Sequence, residues 1–225
     1  MTWEMMNNRP TSFDEMALYP NLRRRLNFYL NKKDMNHLLM FGKPGTGKTT
    51  AARILGDRMG GAYEVNCSKD NSKDKILSIE RNSTHVSMFG GRNCVILDEF
   101  DEFRKDSQMI MKKVMEDSFK QTNFIICVNH YDEVVEPIVD RCMILPFDIG
   151  EVNNQSKLVL HSHAGISKDE WIDELKRVAH IVAKKNNTTI REEQFDKVLL
   201  DENNLKSVRR FIRNIGEEVE MDNLS

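Results

Sequence analysis

Long apolar runs are missing from these 225 residues. None approaches the roughly 20 residues that would cross a bilayer, so no membrane-spanning helix is expected. Met1 to Asn8 has neither a basic stretch nor an apolar one, so no secretory signal is read there, and the chain is expected to be cytoplasmic. Cysteine is sparse: Cys67, Cys94, Cys127 and Cys142 are scattered, without a C-x-x-C pair. That spacing speaks against a zinc site and against a disulfide framework, and it predicts buried free thiols. A dominant charge is lacking too. The net charge of −2 supplies no global basic field, so any nucleic-acid contact has to come from a local patch or from several subunits together. The chain has no internal repeat and no low-complexity tract. Its 40% hydrophobic and 30% charged residues are those of a globular protein long enough for one large domain, or a large and a small one.

Five short apolar runs are present: His37–Phe41, Ala62–Asn66, Asn93–Leu97, Asn123–Val128 and Cys142–Pro146. Three are nearly continuous hydrophobes, as parallel strands covered on both faces should be. Helical patterns separate them. Pro20 suits a first helical position and is followed by Leu22, Leu26, Tyr29 and Leu30 on one face. Thr49–Met59 follows the first strand, and Asp106–Phe119 sets Ile110, Met111, Val114 and Met115 on one side. The expected fold is α/β: a three-layer P-loop domain with a parallel five-stranded sheet over residues 1–148, then a small all-helical domain over 149–225. In the second part no run is strand-like. Ser167 and Glu170 form a candidate capping box before a helix burying Trp171, Ile172, Leu175, Val178, Ala179 and Val182. Helices over Glu192–Leu200 and Leu205–Met221 complete it. The last keeps Arg209, Arg210 and Arg213 off its apolar face.

The strongest chemical signal is Gly42-Lys43-Pro44-Gly45-Thr46-Gly47-Lys48-Thr49, a full match to G-x-x-x-x-G-K-[ST] between a strand and a helix. Its glycines let backbone N–H groups face phosphate oxygens, and the following helix, from Thr49 and Thr50 on, adds its positive dipole end. Lys48 is read as neutralising the β- and γ-phosphates of ATP, and Thr49 as ligating Mg²⁺. The next signal is Cys94-Val-Ile-Leu-Asp98-Glu99-Phe100, an apolar strand closing on two acids. Asp98 is the candidate second Mg²⁺ ligand, and Glu99 the base that orients and deprotonates the attacking water.

Three further residues complete the candidate machinery. Asn129 ends the strand Phe124–Val128, which is expected beside the P-loop strand, and is read as positioning the water. Arg141, in Glu136-Pro-Ile-Val-Asp140-Arg-Cys142, is expected to face away from its own site and to act in trans on a neighbour's. A surface ion pair with Asp140 or Asp132 is the alternative. Arg209 or Arg210, with Arg209 preferred, is read as reaching the γ-phosphate from the helical domain; a solvated basic helix face is the alternative.

In this order, these elements resemble the AAA+ sliding-clamp loader ATPases, and among them the large loader subunit of T-even-type bacteriophages. The likeness covers about residues 9 to 220. Leu97-Asp-Glu-Phe-Asp101 and Glu136–Cys142 are its most specific pieces. Arg9-Pro10-Thr-Ser-Phe-Asp-Glu15 resembles the family's segment over the adenine, which implies that Pro10, Met16 and Tyr19, within residues 1–19, lie near the base. The resemblance implies ATP-driven opening of a ring-shaped sliding clamp, its closure on primer–template DNA held through backbone phosphates, and an oligomer, pentameric in the family, of this and other loader subunits. For a phage-encoded chain the compartment would be the host cytoplasm. Candidate DNA-facing residues are Lys73, Lys75, Arg81, Arg104, Lys105, Lys112 and Lys113.

Two departures stand out. The family usually has Ser-Arg-Cys where this chain has Asp140-Arg141-Cys142. Family members also carry a third, all-helical collar domain, and residues 1–225 contain only two expected domains. A partner collar, a shortened chain or another mode of assembly follows. Two rival readings remain: a helicase loader or initiator-like AAA+ ATPase, and a nucleotide-binding structural subunit that does not hydrolyse ATP. Intact Asp98, Glu99, Asn129 and Arg141 speak against the second.

Overall fold

A computed structural model describes residues 9–32, 36–68, 73–84, 92–153, 155 and 157–224. The readings placed on Met1 to Asn8 lie outside the described residues. The chain divides into two compact units. One comprises 27–42 and 48–147; the other gathers 1–26, 43–47 and 148–225. Helix α1 (Pro20–Asn31) runs through the division.

The first unit is built on β1 (His37–Phe41), α2 (Lys48–Arg58), β2 (Tyr63–Asn66), α3 (Lys73–Thr84), β3 (Asn93–Asp98), α4 (Lys105–Asp117), β4 (Thr122–Val128), α5 (Glu136–Val139) and β5 (Cys142–Pro146). The strands form one parallel sheet in the order β2-β3-β4-β1-β5. All seven residues of β4 are buried, and after Thr122 and Asn123 its sequence, Phe124–Val128, is continuous hydrophobe. Side chains alternate across the pleat. Leu39, Val95, Leu97, Phe124 and Ile126 pack with Ile76 and Ile79 of α3 and Met111, Val114 and Met115 of α4. On the opposite face α2 approaches so closely that a Cβ on Gly56 would stand 2.7 Å from Ala62 and 3.5 Å from Ile96. Burying each such Leu, Ile or Phe contributes about 1.5–3 kcal/mol.

Helix α4 departs from the expected face. Ile110 is 45% exposed and Met109 46%. The buried stripe begins instead with Ser107 and Gln108. Gln108 is fully buried yet satisfied: its amide donates to the carbonyls of Phe103 and Glu133, each at 3.0 Å, and accepts from the Val135 N–H at 2.9 Å. A polar residue with three backbone partners has replaced the apolar one that periodicity alone selects.

The second unit contains β6 (Gly150–Val152), β7 (Leu158–Leu160), α6 (Lys168–Lys185), α7 (Glu192–Leu199) and α8 (Val208–Leu224). It is helical but not all-helical: β6 and β7 pair as an antiparallel ribbon. Strands of three residues are too short to show alternation. The Ser167–Glu170 capping box forms as expected. Trp171, Leu175, Val178, Ala179 and Val182 are buried, while Ile172 is only half-buried. Ser207, extended at φ −136°, separates a 3-10 turn at Glu202–Lys206 from α8, so Leu205 precedes that helix rather than opening it. The N-terminal segment belongs to this unit. Arg177 of α6 donates to the carbonyls of Asp14 (2.6 Å) and Met16 (3.0 Å), and Glu174 accepts from the Leu18 N–H (3.2 Å). Among the described residues no helix is long and apolar enough to cross a membrane. Cys67, Cys94 and Cys127 are buried free thiols, and Cys142 is a half-buried one.

Candidate functional site

In a parallel sheet the carboxyl ends of the strands converge on one edge, where each chain turns toward its helix. The register puts Phe41 beside Val128, so Gly42 and Asn129 leave neighbouring strands at the same level. Lys48, the first residue of α2, reaches back across this edge. Its ammonium donates to the Gly42 carbonyl and, at 3.1 Å, to Asn129 Oδ1. The lysine is only 7% exposed, so its charge is confined to this spot. Asn129 is fixed in turn by Asp101, whose Oδ2 accepts from the N–H groups of Asn129 (3.0 Å) and His130 (2.9 Å).

One strand over, the Thr49 hydroxyl lies 3.1 Å from both carboxylate oxygens of Asp98. A hydroxyl and a carboxylate so close form a hard-oxygen donor pair suited to Mg²⁺. Burial pushes the Asp98 carboxyl above the usual range, opposed by the Thr49 hydrogen bond. A cation there would relieve that cost. These residues therefore fit the metal assigned to them.

Glu99 has φ 56° and ψ 43°, a left-handed conformation that costs a non-glycine residue about 1–2 kcal/mol. The backbone turns sharply where β3 ends, and the carboxylate is received by Asn66 of β2, whose Nδ2 donates to Oε2 at 3.1 Å. Asn66 is a site residue that the sequence reading passed over, although the signal used for Asn129, a lone amide closing an apolar strand, is present there too.

The other unit holds the remaining loop residues, 43–47. Gly45 (φ 83°) and Gly47 (φ 99°) occupy conformations that side chains avoid. A Cβ on Gly47 would lie 2.8 Å from Met16 Cε, and one on Gly45 would lie 2.3 Å from Ser207 Oγ and 3.2 Å from Arg209 Cβ. The Arg209 N–H donates to the Gly45 carbonyl at 3.2 Å. The first turn of α8 thus rests on the loop, with Arg209 nearer to it; Arg209 and Arg210 are both exposed. Asp148 anchors the loop by accepting from the Lys43 N–H at 2.6 Å. Thr46 donates to the Lys43 carbonyl at 2.9 Å, while Pro44 is exposed and Thr50, in α2, is half-buried. Tyr19 is buried, which pushes its phenol up, and its ring stands 5.8 Å from that of His163. Pro10 is half-buried.

Arg141 stands apart from these groups. It precedes β5, whose first residue, Cys142, pairs with His37, the first of β1. It therefore lies at the amino edge of the sheet, a full strand length (about 16 Å) from the edge carrying Lys48 and Asn129. Its guanidinium pairs with Glu116 of α4 and donates to the Pro137 carbonyl, rather than pairing with Asp140 or Asp132. Among the basic residues considered for DNA, Lys75 donates to the Asn66 carbonyl, Arg81 to the Leu77 carbonyl (3.3 Å) and Lys105 to Glu133 (3.2 Å). Lys112 lies 3.7 Å from Glu116. Arg104 and Lys113 are exposed, and the Lys73 side chain lies outside the described residues.

Residues 38–147 match the profile of AAA, the ATPase family associated with various cellular activities. The replication factor C small subunit of Thermofilum pendens is 35% identical over 147 residues, 62% of this chain and 45% of that protein. Replication factor C small subunit 1 of Pyrobaculum arsenaticum is 28% identical over 228 positions, 96% of this chain and 69% of that one. The chain spans 45% of the similarly named protein of Pyrobaculum islandicum. A solved RuvB variant of Thermotoga maritima superposes with a TM-score of 0.71 at 16% identity, over 97% of this chain and 74% of that one, a likeness of fold.

Proposed function

Residues 38–147 form a AAA ATPase domain homologous to replication factor C small subunits, and from this premise we propose that the chain is the motor subunit of a sliding-clamp loader. As an oligomer it binds ATP, opens a ring clamp and places it on primer–template DNA, in the manner of the T-even-type phage loaders it resembles.

The chemistry follows from the carboxyl edge of the sheet. The phosphates are assigned to the loop's N–H groups and Lys48, and the base to Pro10, Met16 and Tyr19, as the resemblance implies. Thr49 and Asp98 would hold Mg²⁺, and the ion would offset the negative charge of the reacting phosphates. Asn129, locked by Asp101, orients a water on the γ-phosphorus, and Glu99 takes its proton as the bond to the β-γ bridging oxygen breaks, giving ADP and phosphate. Arg209 adds charge from α8.

The observation that carries the oligomeric reading is the position of Arg141. A cation at the amino edge of the sheet cannot serve the phosphates at the carboxyl edge of its own chain. It can serve those of a neighbour packed edge to edge, where an arginine stabilises the charge that develops on the transferred phosphoryl group. The similarity to replication factor C and the Glu136–Cys142 segment supply the clamp-loading part.

The test is steady-state ATP hydrolysis with and without primer–template DNA and the cognate clamp. Strong stimulation that needs both is expected. ATP binding without stimulation by either would exclude clamp loading and favour the helicase-loader reading. ATP binding with no turnover under any condition would favour a structural nucleotide-binding subunit.

A further inference from the structure

The ion pair at Arg141 bears on how that residue is delivered. An arginine that acts on a neighbour's phosphates must present positive charge. Here two of its five N–H groups are already used on its own chain: one nitrogen donates to the Pro137 carbonyl and the other to Glu116 Oε1. Glu116 lies on α4, one helix away, so the contact is tertiary and not imposed by local sequence. A carboxylate in direct contact offsets the charge, and it would repel an incoming γ-phosphate.

The pair is also poised to open. The Arg141 and Glu116 side chains are 31% and 43% exposed. Water and salt screen such pairs, so they exchange readily, whereas a buried pair would not. A substitute cation waits one turn back on the same helix, with Lys112 Nζ 3.7 Å from the same Oε1. When Arg141 leaves, Glu116 keeps a partner, and the cost of release falls.

We propose that Glu116 is a latch: it holds Arg141 on its own chain, competes with the neighbouring subunit's phosphates for the guanidinium, and passes to Lys112 when Arg141 is delivered. This rests on the reading that Arg141 acts in trans. It makes Glu116 a positioning residue for hydrolysis in the next subunit, and it restrains the assembled ATPase in its unstimulated state.

The experiment uses mixed assemblies of full-length chains. A Lys48→Ala chain donates Arg141 but binds no ATP; an Arg141→Ala chain binds ATP but donates no arginine. Mixing them should restore part of the unstimulated ATPase. Placing Glu116→Gln in the donor alone should raise the restored kcat about two- to fivefold, the range of an exposed ion pair, with KM for ATP unchanged. Glu116→Asp in the donor, which keeps the charge, should stay near the unmodified mixture. In a chain also carrying Arg141→Ala, Glu116→Gln should have no effect on its own turnover. Restored activity that Glu116→Gln leaves unchanged or lowers would overturn the latch while the trans role of Arg141 stands. No restoration in any mixture would overturn the trans role, and the latch with it. Equal thermal melting of the variants separates either result from misfolding.

Discussion

Asn66, the last residue of β2, donates its amide to the Glu99 carboxylate across 3.1 Å, joining the ends of two neighbouring strands. Glu99 is the residue assigned to accept a proton from water. A hydrogen bond to a carboxylate stabilises the anion and lowers its basicity, and this one also draws the group toward β2.

Removing that amide should therefore release the base. In Asn66→Ala the unstimulated ATPase is expected to rise about fivefold, the equivalent of one net hydrogen bond of about 1 kcal/mol, with KM for ATP unchanged. Turnover and melting temperature measured on the same preparation decide the matter. A fall in kcat at unchanged stability would mean that Asn66 aims Glu99 rather than restraining it.

The proposed metal site carries a stability cost at Asp98. Burial raises its carboxyl pKa in the folded state, so the stability linked to this group is full below the unfolded value of 3.8 and is lost as pH rises through the folded one. At pH 7 the ionised group is a cost that a bound Mg²⁺ would relieve. Asp98→Asn should melt at or above the wild-type temperature in EDTA. Saturating Mg·ATP should raise the wild-type melting temperature by about 5–10 °C at a hundredfold excess over Kd. The same addition should move the variant much less. An Asp98→Asn chain that melts lower in EDTA and gains the full shift would remove Asp98 from the metal site.

Gly45→Ala tests the loop from the other unit. The new methyl would fall 2.3 Å from Ser207 Oγ at a backbone angle of φ 83°. Both the clash and the strain act on the turn that holds the Arg209 N–H against the Gly45 carbonyl. ATP affinity is expected to drop about tenfold or more, equivalent to 1–2 kcal/mol of left-handed strain. Equilibrium titration with a fluorescent ATP analogue measures it. Unchanged affinity would show that the loop binds phosphate without this contact.

Much of this was legible beforehand, and the reasons are physical. A strand buried on both faces, such as β4, is mostly hydrophobe, and a P-loop motif keeps its glycines at fixed spacing so that phosphates can approach its backbone. Lys48, Thr49, Asp98 and Asn129 could therefore be placed together from sequence. Tertiary partnership was not legible. Nothing local in Glu116 marks it as the partner of Arg141, twenty-five residues on. Gln108 looks like a surface residue until three backbone groups are found around it. Ile110 fits the apolar stripe of α4 by spacing but faces outward, because Ser107 and Gln108 take the inward positions. Arg177 and Glu174 bind the N-terminal segment to α6 through backbone groups that no side-chain pattern reveals.

His37 makes the last prediction, one of stability rather than activity. It opens β1, is 2% exposed, and accepts the Phe124 N–H at Nδ1 across 3.1 Å. The rings of Phe119 and Phe124 stand edge-on to it at 5.6 and 5.3 Å. Burial, with the Arg92 charge nearby, lowers its pKa to about 4, and a protonated ring could no longer accept that hydrogen bond. The unfolded chain takes the proton near pH 6.5, the folded one only near 4. The stability linked to this group is therefore full above 6.5 and drains away as pH falls toward 4, by up to about 1.4 kcal/mol per pH unit. Urea unfolding at pH 7, 6 and 5 should show that decline. His37→Gln supplies an amide acceptor that does not titrate, and it should flatten the curve over the same interval, whatever its stability at pH 7. Parallel curves for the two proteins would assign the acid sensitivity to other groups and leave His37 a packed ring with an ordinary titration.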